Sequence, residues 1–380
     1  MLDGYRLFDA DAHVNLSPRM WEDLPAEYQV RRPRPVRAGD ADDIGRYGSG
    51  WMIDGRIIPR PTGRGAQPAN TPQAILEEFG APRDRKEFPI GSRDLSDPEA
   101  RLRDLDRMGI DYQVLFPSTL YTRMTSDPGF ENALWCSYNR YMGRQCRSNP
   151  ERLKWAGLLP LRDTRKALAA LEEIQALGAS AAVVFGTVGE LPLSHPGFTP
   201  VWDEFYRTGL PLCVHMGMSY PPFEDLCHNI FSAHSIGMGL PGQLGFAAVV
   251  GQGMLDRYPD LKVAFLEFGA EWLLYMVQRM DHYLPLDRGL EMPGTDTLPH
   301  KRIEEYVKSG KLFVAPEADD TLLLQEIGLI GEDQILFASD VPHNEGRENA
   351  AMEILERRDI SPDQKRKFLY DNTVRFFGEP

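Results

Sequence analysis

Two periodicities alternate along this chain. Continuous apolar runs rich in β-branched and aromatic residues occur at 112–117, 181–185 and 212–215, the pattern of strands buried on both faces. Between such runs apolar residues return three and four positions apart, the spacing of helices that bury one side. Read in order, the pattern predicts strands over 5–14, 112–117, 153–159, 181–185, 212–215, 262–267, 312–315 and 335–339. Helices are predicted over 96–108, 130–148, 164–177, 201–208, 245–258, 270–283, 302–308, 321–327, 345–358 and 362–370. Eight strands, with helical pattern after each, predict an α/β fold, a (β/α)8 TIM barrel formed as one domain over 1–380. An open doubly wound sheet would require two strands to be misread.

The periodicity lapses between the first strand and the first helix. Residues 16–90 are rich in Pro, Gly and Arg, and so long an irregular segment in a compact protein reads as a lid or cap. Within it, Asp54 and Gly55 lie between apolar flanks and predict a hairpin over 51–58. Arg31, Arg32, Arg34, Arg37, Arg46, Arg56, Arg60 and Arg64 are opposed there only by Asp40, Asp42, Asp43 and Asp54. The excess suggests either a solvated loop or an anion-binding cap, with Trp51, Arg56, Arg60 and Arg64 as candidate substrate contacts.

Charge and composition act mainly by exclusion. A formal net charge of −14 argues against nucleic acid or an anionic membrane surface as partner. No apolar run is long enough to span a bilayer, and the first residues do not resemble a signal peptide, so a cytoplasmic location is expected. Cys136, Cys146, Cys213 and Cys227 show no paired spacing and are expected to be reduced.

In a barrel of this kind the chemistry sits at the C-terminal ends of the strands. His13 closes the first strand, His215 the fifth, Glu267 the sixth and Asp340 the eighth, while Glu317 follows the seventh. His234 and His343 fall in the loops after strands five and eight. Strict alternation also places Asp9 and Asp11 on the face of His13. Taken singly, His215 reads as a satisfied core histidine, whereas Asp340 is either a functional carboxylate or the cap of the next helix. Together, acids next to apolar strands are costly without a cation. The candidate metal ligands are therefore Asp11, His13, His215, His234, Glu267, Glu317, Asp340 and His343, with Glu267 and His343 also as catalytic candidates and Asp9 in a supporting position. Carboxylate oxygen mixed with imidazole suits iron or manganese better than a thiolate-rich zinc site does, and the number of groups exceeds the need of one ion.

At these positions the chain resembles the metal-dependent amidohydrolase superfamily, in the branch related to aminocarboxymuconate-semialdehyde decarboxylase. The resemblance rests on Asp9-Ala-Asp-Ala-His13, on His215, on the run Pro259-Asp-Leu-Lys-Val-Ala-Phe265 and on Ser339-Asp-Val-Pro-His343. Against the family pattern, Asp11 replaces the first histidine of His-x-His, Glu267 stands where strand six usually carries histidine, and residues 180–187 lack the bridging lysine. With those departures the chain is similar to the TIM-barrel nonheme diiron monooxygenases. That similarity implies two iron ions, dioxygen, an external electron donor, a homodimer, and hydroxylation of a bulky substrate carried as a coenzyme A thioester. The branch itself implies the alternative, a hydrolase or decarboxylase with one zinc or manganese ion.

Overall fold

The computed structural model describes residues 1–37, 49–60, 64, 88–121, 123–290, 297–343 and 345–380. Its main sheet has seven parallel strands in sequence order: β1 (Phe8–Val14), β2 (Tyr112–Pro117), β3 (Leu153–Leu158), β4 (Ala181–Phe185), β5 (Leu212–His215), β6 (Val263–Leu266) and β7 (Leu312–Val314). Every residue of β1, β4, β5, β6 and β7 is buried, and β4, β5, β6 and β7 accordingly read as continuous apolar runs, whereas β1 buries polar side chains as well.

The expected eighth strand, 335–339, lacks a regular ladder but lies between β7 and β1. Leu336 N donates to Val314 O at 2.8 Å, and on the other side Ala10 N donates to Phe337 O at 2.8 Å and His13 N to Val341 O at 2.7 Å. Val314 and Ile335 form a single parallel bridge. The arrangement is consistent with a TIM barrel, and it sets Ser339 and Asp340 beside β1.

Helix ends follow local chemistry. The helix Pro98–Met108 starts where the Asp97 side chain accepts a hydrogen bond from Ala100 N at 3.1 Å and stops at Gly109, whose φ of 75° suits glycine. Several predicted helices differ, three of them as follows. The one over 245–258 is divided into Leu240–Phe246, a wide turn at Ala247–Gly251 and Met254–Arg257, with Gly253 left-handed at φ 75° between the last two. That over 345–358 contracts to Ala350–Glu356, and that over 321–327 shifts to Leu323–Ile330.

In the insertion, Arg34–Arg37, Ser49–Ile53 and Arg56–Ile58 form an antiparallel sheet. Asp54 and Gly55 turn its hairpin with φ of 48° and 76°, as two consecutive left-handed residues in a tight hairpin require. Arg31 fastens the hairpin, reaching Asp54 and Asp127 each at 2.7 Å while its guanidinium lies 4.1 Å from the Phe130 ring centre. Residues 38–48, 61–63 and 65–87 of the expected cap, Arg46 among them, lie outside the described residues. No described helix is long and apolar enough to cross a membrane.

Candidate metal centre

The strand ends bring six of the eight expected ligands together. Asp11, His13, His215 and Glu267 offer ligand atoms within 4.8 Å of one another, and His13, Glu267, Asp340 and His343 form a second group that shares two members with the first. His13 is central: its Nε2 lies 3.5 Å from Asp11 Oδ1, 3.4 Å from Glu267 Oε2 and 3.2 Å from Asp340 Oδ1. His215 Nε2 lies 3.4 Å from Asp11 Oδ2 and 3.2 Å from Glu267 Oε2. Its Nδ1 meets Met216 O at 3.0 Å, which leaves Nε2 as the atom turned to the centre. The His343 ring stacks on that of His13 with centroids 3.8 Å apart, and its Nδ1 is 2.7 Å from Asp340 Oδ1.

Asp11 Oδ1, His13 Nε2 and His215 Nε2 are all buried without a hydrogen-bond partner. Buried polar atoms are nearly always satisfied, so three converging exceptions fit a cation. Electrostatics agree. Burial and the His343 charge oppose protonation of His13, yet contacts with Asp340 and Glu267 and the Asp11 charge prevail and push it up to about 9. Burial likewise disfavours the ionised Glu267, but His13 and His343 outweigh it and hold the carboxyl well below its usual range. The carboxylates thus call for positive charge, which protons or one bound cation can supply. Glu267 and Asp340 also have left-handed backbones, φ 65° and 54°, a strain that tends to persist where neighbouring structure enforces a functional position.

Asp9 departs from the expected shared face. Between Asp9 and Ala12 β1 advances three residues while β2 advances two, from Gln113 to Leu115, so the alternation is broken. Asp9 instead accepts from Gln113 Nε2 at 2.7 Å, from Ser339 N at 3.0 Å and from the Ser339 hydroxyl. Gln113 Oε1 in turn accepts from Arg101 Nε at 2.8 Å. Burial drives Asp9 up to about 6 and the fully buried Arg101 down to about 10. This network holds Ser339, the neighbour of Asp340, and sequence reasoning missed Arg101. Its signal was position: Arg101 precedes Leu105 and Met108 by four and seven residues, on the buried side of its helix.

Two expected ligands lie elsewhere. His234 is exposed at 39% and faces Glu345 at 3.6 Å, because its loop folds into a helical turn. Glu317 belongs to neither group and has an exposed surface, although partial loss of water at its carboxyl and the Asp340 charge push it up to about 7. Trp51 is 2% exposed and packs edge-on against Trp21 within the core. Arg56 and Arg60 line a cavity of about 880 Å³, but Asp54, Glu224 and Asp225 line it too. Arg64 donates to Asp225 O. A smaller cavity of about 190 Å³ is bounded by Tyr121, Arg123, Trp135, Phe185, Arg162 and Ser219 among others. One of its lining residues, Phe185, pairs with His215 across β4 and β5.

A family model described as Amidohydrolase matches residues 9–378. The chain belongs to the amidohydrolase family. Among its relatives in this family, the 2-amino-3-carboxymuconate-6-semialdehyde decarboxylase of Dictyostelium discoideum is 24% identical over 288 residues, 74% of this chain and 77% of that protein. An amidohydrolase structure from Mycobacterium avium subsp. paratuberculosis K-10 superposes with a TM-score of 0.71 at 20% identity, covering 99% of this chain and 98% of the other. The 5-carboxyvanillate decarboxylase of Novosphingobium aromaticivorans, solved with manganese and 4-hydroxy-3-methoxy-5-nitrobenzoic acid, gives 0.69 at 19% identity, covering 98% and 96%. The 2,6-dihydroxybenzoate decarboxylase of Rhizobium gives 0.64 at 18%, covering 98% of each chain.

These relatives correct the expectation of a diiron monooxygenase, because the named activities among them are decarboxylations. Dioxygen, an electron donor and a coenzyme A thioester were inferred with that reaction and lose their support with it. The physical reason is that Glu267 in place of a histidine changes the hardness of a ligand set without requiring redox chemistry.

Proposed function

We propose that the protein is a decarboxylase of small hydroxylated aromatic or muconate-like acids, dependent on one manganese or zinc ion. Asp11, His13, His215 and Glu267 would hold the ion, and Asp340 belongs to the adjoining group. When bound, the ion supplies Lewis-acid stabilisation of negative charge on the substrate's oxygens. The observation that carries the reading is the Asp340–His343 pair, 2.7 Å apart and next to the four-residue group.

Loss of carbon dioxide from R–CO2⁻ leaves an electron pair on carbon that must take up one proton to give R–H. His343 is the group placed to supply that proton: its ring pairs through Nδ1 with Asp340 Oδ1, and although burial works against the charged ring, the Asp340 charge prevails and shifts it toward the protonated form. The stacking of His343 on His13 fixes its plane relative to the ligands. The small cavity takes the substrate ring, with Trp135 and Phe185 as apolar walls and Arg123 opposite a second acidic group of the substrate. The insertion over 16–90 serves as a cap on this single catalytic domain, a role supported by the ties from Arg31 to Asp127 and from Arg64 to Asp225.

The test is carbon dioxide release under nitrogen from 2,6-dihydroxybenzoate, 5-carboxyvanillate and related hydroxylated arene carboxylates. In D2O each turnover is expected to place one deuterium on the former carboxyl carbon. Turnover that stops without dioxygen, or that proceeds unchanged after the metal is removed, counts against the proposal.

A further inference from the structure

A third acidic group lies apart from the residues of the barrel centre. Glu271, at the start of the helix Glu271–Arg288, Asp320, in the loop after β7, and Glu326, in the helix Leu323–Ile330, offer carboxylate oxygens within 4.8 Å of one another. Surface acids cluster in this way without purpose, but Glu326 is not a surface acid. It is 1% exposed, and neither of its carboxylate oxygens has a hydrogen-bond partner. An ionised carboxylate in that state is expensive, and the two acids facing it make matters worse.

The cations and donors nearby are engaged elsewhere. Arg357 is directed to Asp359, at 2.7 Å, and to the carbonyls of Ala318 and Asp320. Glu271 Oε2 accepts from Ala270 N at 2.9 Å and Asp320 Oδ1 from Leu322 N at 2.7 Å, which orient these side chains without neutralising them. The group is graded in burial, Glu271 exposed, Asp320 half-buried and Glu326 buried, so a small ion has a path from solvent.

We propose that Glu271, Asp320 and Glu326 bind a second, structural cation of the calcium type. The donors are all carboxylate oxygen, with no imidazole or thiolate, which selects a hard ion, and an open side leaves room for the waters that calcium retains. Bound there, the ion joins the loop after β7 to the helices on either side of it. The competing arrangement is a proton shared between Glu326 and Asp320, which needs no ion.

The test uses the holoenzyme with its barrel metal in place, freed of loose ions and titrated with calcium chloride alone by calorimetry. Binding of roughly one calcium per chain is expected, with Glu326→Gln and Asp320→Asn each weakening it at least about tenfold while the barrel metal stays at wild-type content. Calcium that does not bind the wild-type protein, or binds Glu326→Gln equally well, overturns the proposal and favours the shared proton. Should Glu326→Gln fail to fold, Glu271→Gln at the exposed rim gives the same readout, and unchanged affinity there overturns the proposal as well.

Discussion

Replacing Arg101 with methionine should destabilise the protein and disturb the metal centre although Arg101 touches no ligand. The side chain is wholly buried, donates to Gln113 at 2.8 Å and is the charge facing Asp9 and Asp104. Methionine preserves most of the volume, so the chief loss is electrostatic: Asp9 is left as a buried carboxylate whose burial already drives it up to about 6. Removing one member of a buried ionic network costs about 3–5 kcal/mol. Unfolding entropy of about 2.1 cal/mol/K per residue gives roughly 0.8 kcal/mol/K for this chain, so Tm should fall by about 4–6 °C. Thermal unfolding by circular dichroism of Arg101→Met, Asp9→Asn and the double variant measures the coupling. Because the second change removes the stranded charge, the double variant should be more stable than additivity allows by about 1–3 kcal/mol. Retained metal should fall in the single variant too, since Asp9 holds Ser339 beside Asp340. A Tm within 1 °C of wild type, or strict additivity, would refute the reasoning.

Three further outcomes are expected. His215→Ala should weaken metal affinity by at least about 100-fold, measured by competition with a chelator, and full occupancy would remove His215 from the ligand set. His343→Gln should keep the metal yet lower kcat by about 10²–10⁴, and an unchanged kcat would transfer the proton to another group. Burial and the Asp320 charge push Glu326 up to about 8, above its usual 4.5. This contribution is present below about pH 4.5 and lost as pH rises through 8; just under 5 kcal/mol at about 1.36 kcal/mol per pH unit, it is reduced by screening at the open side to about 2–3 kcal/mol. In chelator the urea midpoint should therefore fall from pH 5 to pH 9, and a flat or rising profile would contradict the assignment.

Much of the fold was readable because parallel strands buried on both faces leave continuous apolar runs, and the barrel order then turns strand ends into one site. That logic located Asp11, His13, His215, Glu267, Asp340 and His343 together. It failed where a residue's direction depends on local backbone. One extra residue in β1 separated Asp9 from Asp11, a helical turn carried His234 outward, and Glu317, just beyond Pro316, stayed exposed. Arg101 was hidden for a different reason: an arginine on a helix normally marks the solvent side, and only its buried acidic partner makes the opposite placement tolerable. The reaction was misread because a carboxylate at strand six bears on ligand hardness, whereas in the proposed function the fate of the substrate depends on the Asp340–His343 pair. The backbone shows how strongly two of these positions are imposed. Glycine would relieve the left-handed φ of Glu267 and Asp340, a strain of about 1–3 kcal/mol each, but glycine has no carboxylate. At these two strand ends the side chain that reaches the centre outranks the residue that the backbone prefers.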